Sequence, residues 1–113
     1  MAEEMRVEQE VRDRSVILSP EGDVDLSASP SLRTRLHEAL NQQPDRLVID
    51  LGGVDYVDSS GVATLVESLQ IARRSSTTLV LANLRDRVRS VFEIARLDTV
   101  FTIAATVDEA MEC

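Results

Sequence analysis

Leu47-Val48-Ile49-Asp50-Leu51-Gly52-Gly53-Val54-Asp55-Tyr56-Val57-Asp58-Ser59-Ser60-Gly61-Val62-Ala63-Thr64-Leu65 is the stretch on which the fold turns. It opens with an apolar run rich in β-branched residues, Leu47 to Leu51, which reads as a buried strand. Gly52-Gly53 punctuates it. A helical apolar pattern then appears at Val62, Leu65, Val66, Leu69 and Ala72, predicting a helix from about Gly61 to Arg74. Asp58-Ser59-Ser60-Gly61 stands between the two. Asp and Ser favour helix N-termini, because their side-chain oxygens accept hydrogen bonds from backbone N–H groups that lack a partner within the helix. The two serines are therefore expected at or beside a helix start. That place carries partial positive charge and free donors, so a serine there is suited to accept a phosphoryl group. Local chemistry leaves two readings open: simple caps, or a modifiable serine.

Upstream, Met5, Val7, Gln9 and Val11 alternate with Arg6, Glu8, Glu10 and Arg12, the period of a half-exposed strand. Asp13-Arg14-Ser15 is expected to turn the chain into Val16-Ile17-Leu18, giving an antiparallel hairpin. Pro20 cannot donate to a ladder and marks that strand's end or an edge. Glu21-Gly22-Asp23-Val24-Asp25 leads out of the sheet. Ser29-Pro30 reads as a cap followed by the first helical residue, with Leu32, Leu36, Ala39 and Leu40 at helical spacing and Pro44 closing the segment. The only histidine, His37, falls on the polar side of this helix and is expected to be solvated.

Downstream, Arg73-Arg74 sits at the helix end that favours cations. Thr78 to Ala82 is a short buried strand. Asp86 is expected to cap a third helix, whose stripe is Val88, Val91, Phe92 and Ala95 and which ends at Leu97-Asp98. Arg85, Arg87, Arg89 and Arg96 form its basic, solvated face. Val100 to Ile103 reads as a last strand, and Val107 to Glu112 as a terminal helix capped by Thr106 or Asp108. The predicted order is β-β-α-β-α-β-α-β-α. This is an α/β fold: one mixed, mostly parallel sheet with an N-terminal antiparallel hairpin, about four helices, and right-handed crossovers.

The chain has 113 residues, which suits a single domain over 1–113. Hydrophobic residues make up 43 %, enough for one core, whereas aromatics are only 3 %, so aliphatic side chains must do the packing. No apolar run approaches a membrane span. Met1-Ala2-Glu3-Glu4 lacks the basic and apolar regions of a secretion signal. The lone cysteine, Cys113, cannot form an internal disulfide and fits a reducing compartment, so the expected location is cytoplasmic. A formal net charge of −8 opposes binding to nucleic acid or anionic membrane.

The chemistry of an enzyme is missing. Gly52-Gly53 lacks the spacing and the Lys of a phosphate loop. Ser59 and Ser60 have no nearby histidine, and no glycine stands at the position an esterase elbow requires. Asp25, Asp50, Asp55 and Asp58 are candidates for a carboxylate pair or Mg²⁺ site, but nothing in the sequence fixes their geometry, and no metal, catalytic residue or cofactor is expected.

Together these residues resemble a known family. Val48-Ile49-Asp50-Leu51, Val54 and Val57-Asp58-Ser59-Ser60-Gly61 before an apolar helix are similar to the signature of the STAS domain. Glu21-Gly22-Asp23-Val24-Asp25 resembles its upstream acidic segment, and Asp86 to Leu97 its later helix. The loop Ser75-Ser76-Thr77 departs from the pattern, lacking the glycines many members carry.

The resemblance implies a non-enzymatic switch, an anti-sigma factor antagonist. It implies binding to an anti-sigma factor that is also a serine kinase, phosphorylation of Ser59, and restoration by a PP2C-type phosphatase. Asp25, Asp58, Ser60 and Gly61 then belong to the partner-binding motif. The resemblance also admits the STAS subunit of a lipid-transport ABC complex, or a partner switch with an output other than a sigma factor. A small nucleotide- or metal-using enzyme built on the carboxylates is the reading of a different class.

Overall fold

The computed structural model describes residues 5–113; the acidic Met1-Ala2-Glu3-Glu4 segment lies outside the described residues. The elements are β1 (Arg6–Arg12), β2 (Ser15–Glu21), α1 (Ser29–Asn41), β3 (Arg46–Asp50), α2 (Ser59–Arg74), β4 (Thr78–Ala82), α3 (Asp86–Ile94), a 3₁₀ turn (Leu97–Thr99), β5 (Thr102–Ala104) and α4 (Val107–Ala110). The sheet order is β1-β2-β3-β4-β5, antiparallel between β1 and β2 and parallel elsewhere. The expected fold class and element order are those observed.

Sequential parallel strands joined by crossovers of one hand place every crossover helix on the same side. The core follows that rule. Leu32, Leu36 and Leu40 of α1, Leu65 and Leu69 of α2, and Val88 and Phe92 of α3 share one buried cluster with Leu18, Leu47, Ile49 and Leu81. The other sheet face buries a smaller set, Ile17, Val48, Val80, Ala82 and Ala104, beneath Ala110 of α4. Two hydroxyls on the buried side of α2 are satisfied locally: Thr64 donates to the Ser60 carbonyl and Ser68 to the Thr64 carbonyl.

Several local expectations are corrected. Ser29 is not the cap of α1. It is the first helical residue, Pro30 is the second, and Ala28 stands at the boundary without a side-chain cap. Helix α2 starts at Ser59, two residues earlier than its apolar pattern suggests, because Asp58 caps it. Asp86 does not cap α3 but begins it, behind an extended Arg85. Helix α3 stops at Ile94 because Arg96 adopts a left-handed conformation, φ 60°. Val100 and Phe101 then belong to a turn, their amides bonded to the Leu97 carbonyl, so β5 begins only at Thr102. Phe101 instead packs edge-on against Phe92, with ring centroids 5.5 Å apart. His37 is half-buried, its Nε2 2.7 Å from Glu67 Oε1 without hydrogen-bond alignment. Of the two candidates for α4, Thr106 is the cap, accepting from the Glu109 amide. Pro20 lies near the end of β2, beyond the last residue paired to β3. Its missing N–H thus leaves no gap in the parallel ladder.

Candidate functional site

The carboxyl ends of β2 and β3 supply the two loops that build the site. They are joined by a single parallel bridge, Val24 to Val57. Val24 donates to the Tyr56 carbonyl at 2.8 Å, and the Asp58 amide donates back to the Val24 carbonyl at 3.2 Å. Both valines are buried, so this bridge is a fixed floor. Gly61, in the first turn of α2, lies against it. A Cβ at that position would sit 2.6 Å from the Val24 carbonyl oxygen and 2.9 Å from Val57 Cγ1, so only glycine allows the helix to start this close.

Asp58 ties both loops together. Its Oδ1 accepts from the Ser60 amide (2.9 Å), the Gly61 amide (3.2 Å) and the Ser60 hydroxyl (2.6 Å). Its Oδ2 accepts from the Leu26 amide at 3.1 Å. The Ser60 hydroxyl, opposed by partial burial and helped by the three amides, holds the Asp58 carboxyl below the ordinary carboxylate range.

The two serines are not equivalent. Ser60 is half-buried, and its Oγ also lies 2.8 Å from Ser29 Oγ, which is buried at the start of α1. Ser59 is exposed, and its hydroxyl has no hydrogen-bond partner among the described residues. Two exposed apolar residues belong to the loops that Asp58 ties: Leu26, 76 % exposed, whose backbone amide donates to Asp58, and Tyr56, 45 % exposed, two residues upstream of Asp58 in the chain. Helix α2 therefore presents a free hydroxyl at its first residue.

The four aspartates have separate tasks. Asp25 Oδ1 accepts from the Ser27 and Ala28 amides, which shapes the approach to α1. Asp50 Oδ1 accepts from the Gly52 amide and the Asn83 side chain. Asp55 pairs with Arg85, which also donates to the Gly52 carbonyl at 2.7 Å. Arg85 thus leaves the proposed basic face of α3 and pins the β3–α2 loop instead. No group of three or more His, Cys, Asp or Glu side chains capable of holding a metal occurs among the described residues.

A phosphate on Ser59 would find most of the nearby first-turn donors taken, the Ser59 amide alone having no acceptor among the described residues. The Ser60 and Gly61 amides serve the Asp58 carboxylate, and the Val62 amide serves the Asp58 carbonyl. The helix terminus is less open to an anion than its sequence implies. Sequence reasoning missed two contributors, Ser29 and Arg85. Ser29 looked like an ordinary cap, and Arg85 like part of a solvated stripe; neither type of residue signals a long-range contact.

Residues 6–110 match the STAS domain. The chain belongs to that family. Among STAS relatives, the anti-sigma-B factor antagonist of Bacillus subtilis is 28 % identical over 101 residues, covering 89 % of this chain and 92 % of the relative. That of Listeria monocytogenes is 28 % identical over 102 residues, covering 88 % and 90 %. In solved structures, an anti-sigma factor antagonist from Mycobacterium paratuberculosis superposes with a TM-score of 0.88 at 22 % identity, covering 96 % of this chain and 92 % of that one. The STAS fold therefore accounts for the strand order, and the Asp58-Ser59-Ser60-Gly61 turn occupies the carboxyl end of its sheet.

Proposed function

We propose that this protein is an anti-sigma factor antagonist that works by binding rather than turnover. Its partner is an anti-sigma factor that is also a serine kinase, and its engagement releases a sigma factor in the cytoplasm. The kinase phosphorylates Ser59, the phosphorylated protein loses its partner, and a PP2C-type phosphatase restores it. The names of the relatives support the class of function. The exposed, unbonded hydroxyl of Ser59 at the start of α2 is the observation that carries the switch.

The physical argument rests on what a phosphate does there. It adds a charge of about −1.5 to −2. The Asp58 carboxylate is already charged and already holds the neighbouring amides. A partner fitted to Leu26, Tyr56 and a neutral hydroxyl would meet concentrated negative charge and a group costly to desolvate. A loss of about 3 kcal/mol corresponds to a hundredfold weaker complex. The fold itself is spared, because Ser59 makes none of the bonds that hold the site together.

The test is a binding titration of wild type, Ser59→Ala and Ser59→Asp against the serine kinase recovered with the protein from its own cells. Ser59→Ala should bind within a few-fold of wild type, and Ser59→Asp at least tenfold more weakly. Equal affinity of Ser59→Asp and wild type would contradict the proposal.

A further inference from the structure

The two halves of β1 are treated differently at the outer edge of the sheet. Arg12 pairs with Ser15 across the two-residue turn Asp13-Arg14, so the even-numbered residues of β1 direct their backbone groups at β2 and the odd-numbered ones direct theirs outward. Pro20 stands opposite Val7, where β1 asks for no N–H. The Arg35 guanidinium donates to the outward Val7 carbonyl at 2.9 Å, and the Met5 amide donates to Ser31 Oγ at 3.1 Å. Helix α1 thus seals that half of the edge. The amides and carbonyls of Gln9 and Val11 also point outward, and no bond covers them among the described residues. Val11 is 60 % exposed. A groove of about 330 Å³ lies against this open half, lined by Gln9, Val11, Arg14, Val16, Ala39 and Gln42. The opposite edge of the sheet, β5, is only three residues long. An unpaired strand edge is a template for another strand.

We propose that the open half of β1 pairs antiparallel with the same strand of a second copy of this chain, forming a weak two-fold dimer with one continuous sheet. Charge selects the second copy as the occupant and sets its register. Centring the pairing on Glu10 lays Gln9 opposite Val11 of the second copy, and each such pair exchanges both of its backbone bonds. The open groups are then used, and those sealed by α1 are not needed. Glu8 falls opposite Arg12 of the second copy, and by symmetry Arg12 opposite Glu8, in the non-hydrogen-bonded pairs where side chains come closest. Asp13 of the second copy falls opposite Val7, whose carbonyl Arg35 holds, so a carboxylate meets a guanidinium where the open edge ends. The like-charge contact, Glu10 against its own copy, is flanked by the Arg12 side chains, each already paired with Glu10 in its own strand. Centring on Gln9 instead sets Arg6 against Arg12 and Glu8 against Glu10, and it needs Val7. Centring on Val11 needs Asp13, whose φ of 54° takes it out of the strand. One short strand on another buries less than a standard interface of about 1,600 Å², so the dimer forms reversibly at high concentration. The hairpin turn lies at the end of the sheet opposite Ser59, and both copies keep that serine open.

The test is sedimentation velocity on the purified full chain from micromolar to millimolar concentration, with hydrogen exchange at both ends of that range. Wild type should dimerise in the sub-millimolar range by mass action, and the Gln9 and Val11 amides should exchange more slowly at high concentration. Val11→Pro removes an outward N–H that the hairpin does not use, a change that an edge strand tolerates. It should weaken the dimer about tenfold and leave the circular dichroism spectrum unchanged. Arg12→Glu turns both contacts with Glu8 repulsive and should also weaken the dimer about tenfold. A monomer at every concentration overturns the proposal and leaves the edge to a strand of another protein. A dimer that survives both substitutions, or that protects neither amide, overturns it too, because its contact then lies elsewhere. No kinase takes part, so the result is independent of the role proposed for Ser59.

Discussion

The first turns of α1 and α2 begin at the same end of the sheet, and both begin with serine, yet they do opposite things. Helix α1 starts without a side-chain cap, and its Ser29 hydroxyl turns inward to meet the neighbouring helix. Helix α2 starts behind Asp58, which holds two of its amides, and so leaves Ser59 free to face outward. One helix start anchors and the other presents. Ser59 is left exposed here while Asp58 does the work of capping.

The comparison breaks most severely at Gly61. Ser59 can face outward only because α2 starts against the Val24–Val57 bridge, so Gly61→Ala should cost about 1–3 kcal/mol of stability, read by urea unfolding. An unchanged midpoint would mean that the close approach does not matter. Next comes Ser60→Ala, which removes the shared hydroxyl between the two helix starts. It should cost about 1 kcal/mol, and hydrogen exchange at the Leu26 and Gly61 amides should quicken.

Acid sharpens the comparison further. The Asp58 carboxyl is held below its ordinary value chiefly by the Ser60 hydroxyl, and that of Glu67 chiefly by Arg33. A depressed folded-state pKa gives stability that is fully present above the unfolded value, about 4, and is lost as pH falls through the folded value. Wild type should therefore lose stability below about pH 4. Asp58→Asn, which still caps a helix, should keep most of its stability at neutral pH and show a flatter acid limb. Parallel acid limbs would contradict the assignment. The smallest effect belongs to Ser59→Ala: a thermal unfolding midpoint unchanged within about 0.5 kcal/mol of stability, with phosphate incorporation abolished.

Much of this was legible in the sequence. Alternating apolar runs and helical stripes carried the whole element order, and with crossover handedness they fix which side the helices occupy. The motif Asp58-Ser59-Ser60-Gly61 announced a capped helix start. What was not legible was tertiary. Ser29 meets Ser60 across a separation of 31 residues, and Arg85 reaches Asp55 across 30. No local pattern encodes such contacts. Helix α3 ends earlier than its sequence suggests, because left-handed Arg96 has no glycine to announce it. Ser76, φ 58°, likewise turns left-handed in the loop that lacks the family's glycines.

The most direct test is intact and tryptic mass spectrometry of the protein purified from its own cells before and after stress, with its bound partners identified. The account predicts a phosphate on Ser59 that varies with condition, none on Ser60, and a co-purifying serine kinase. Phosphate on Ser60 instead, or an unmodified Ser59 under every condition with a transporter ATPase bound, would contradict it.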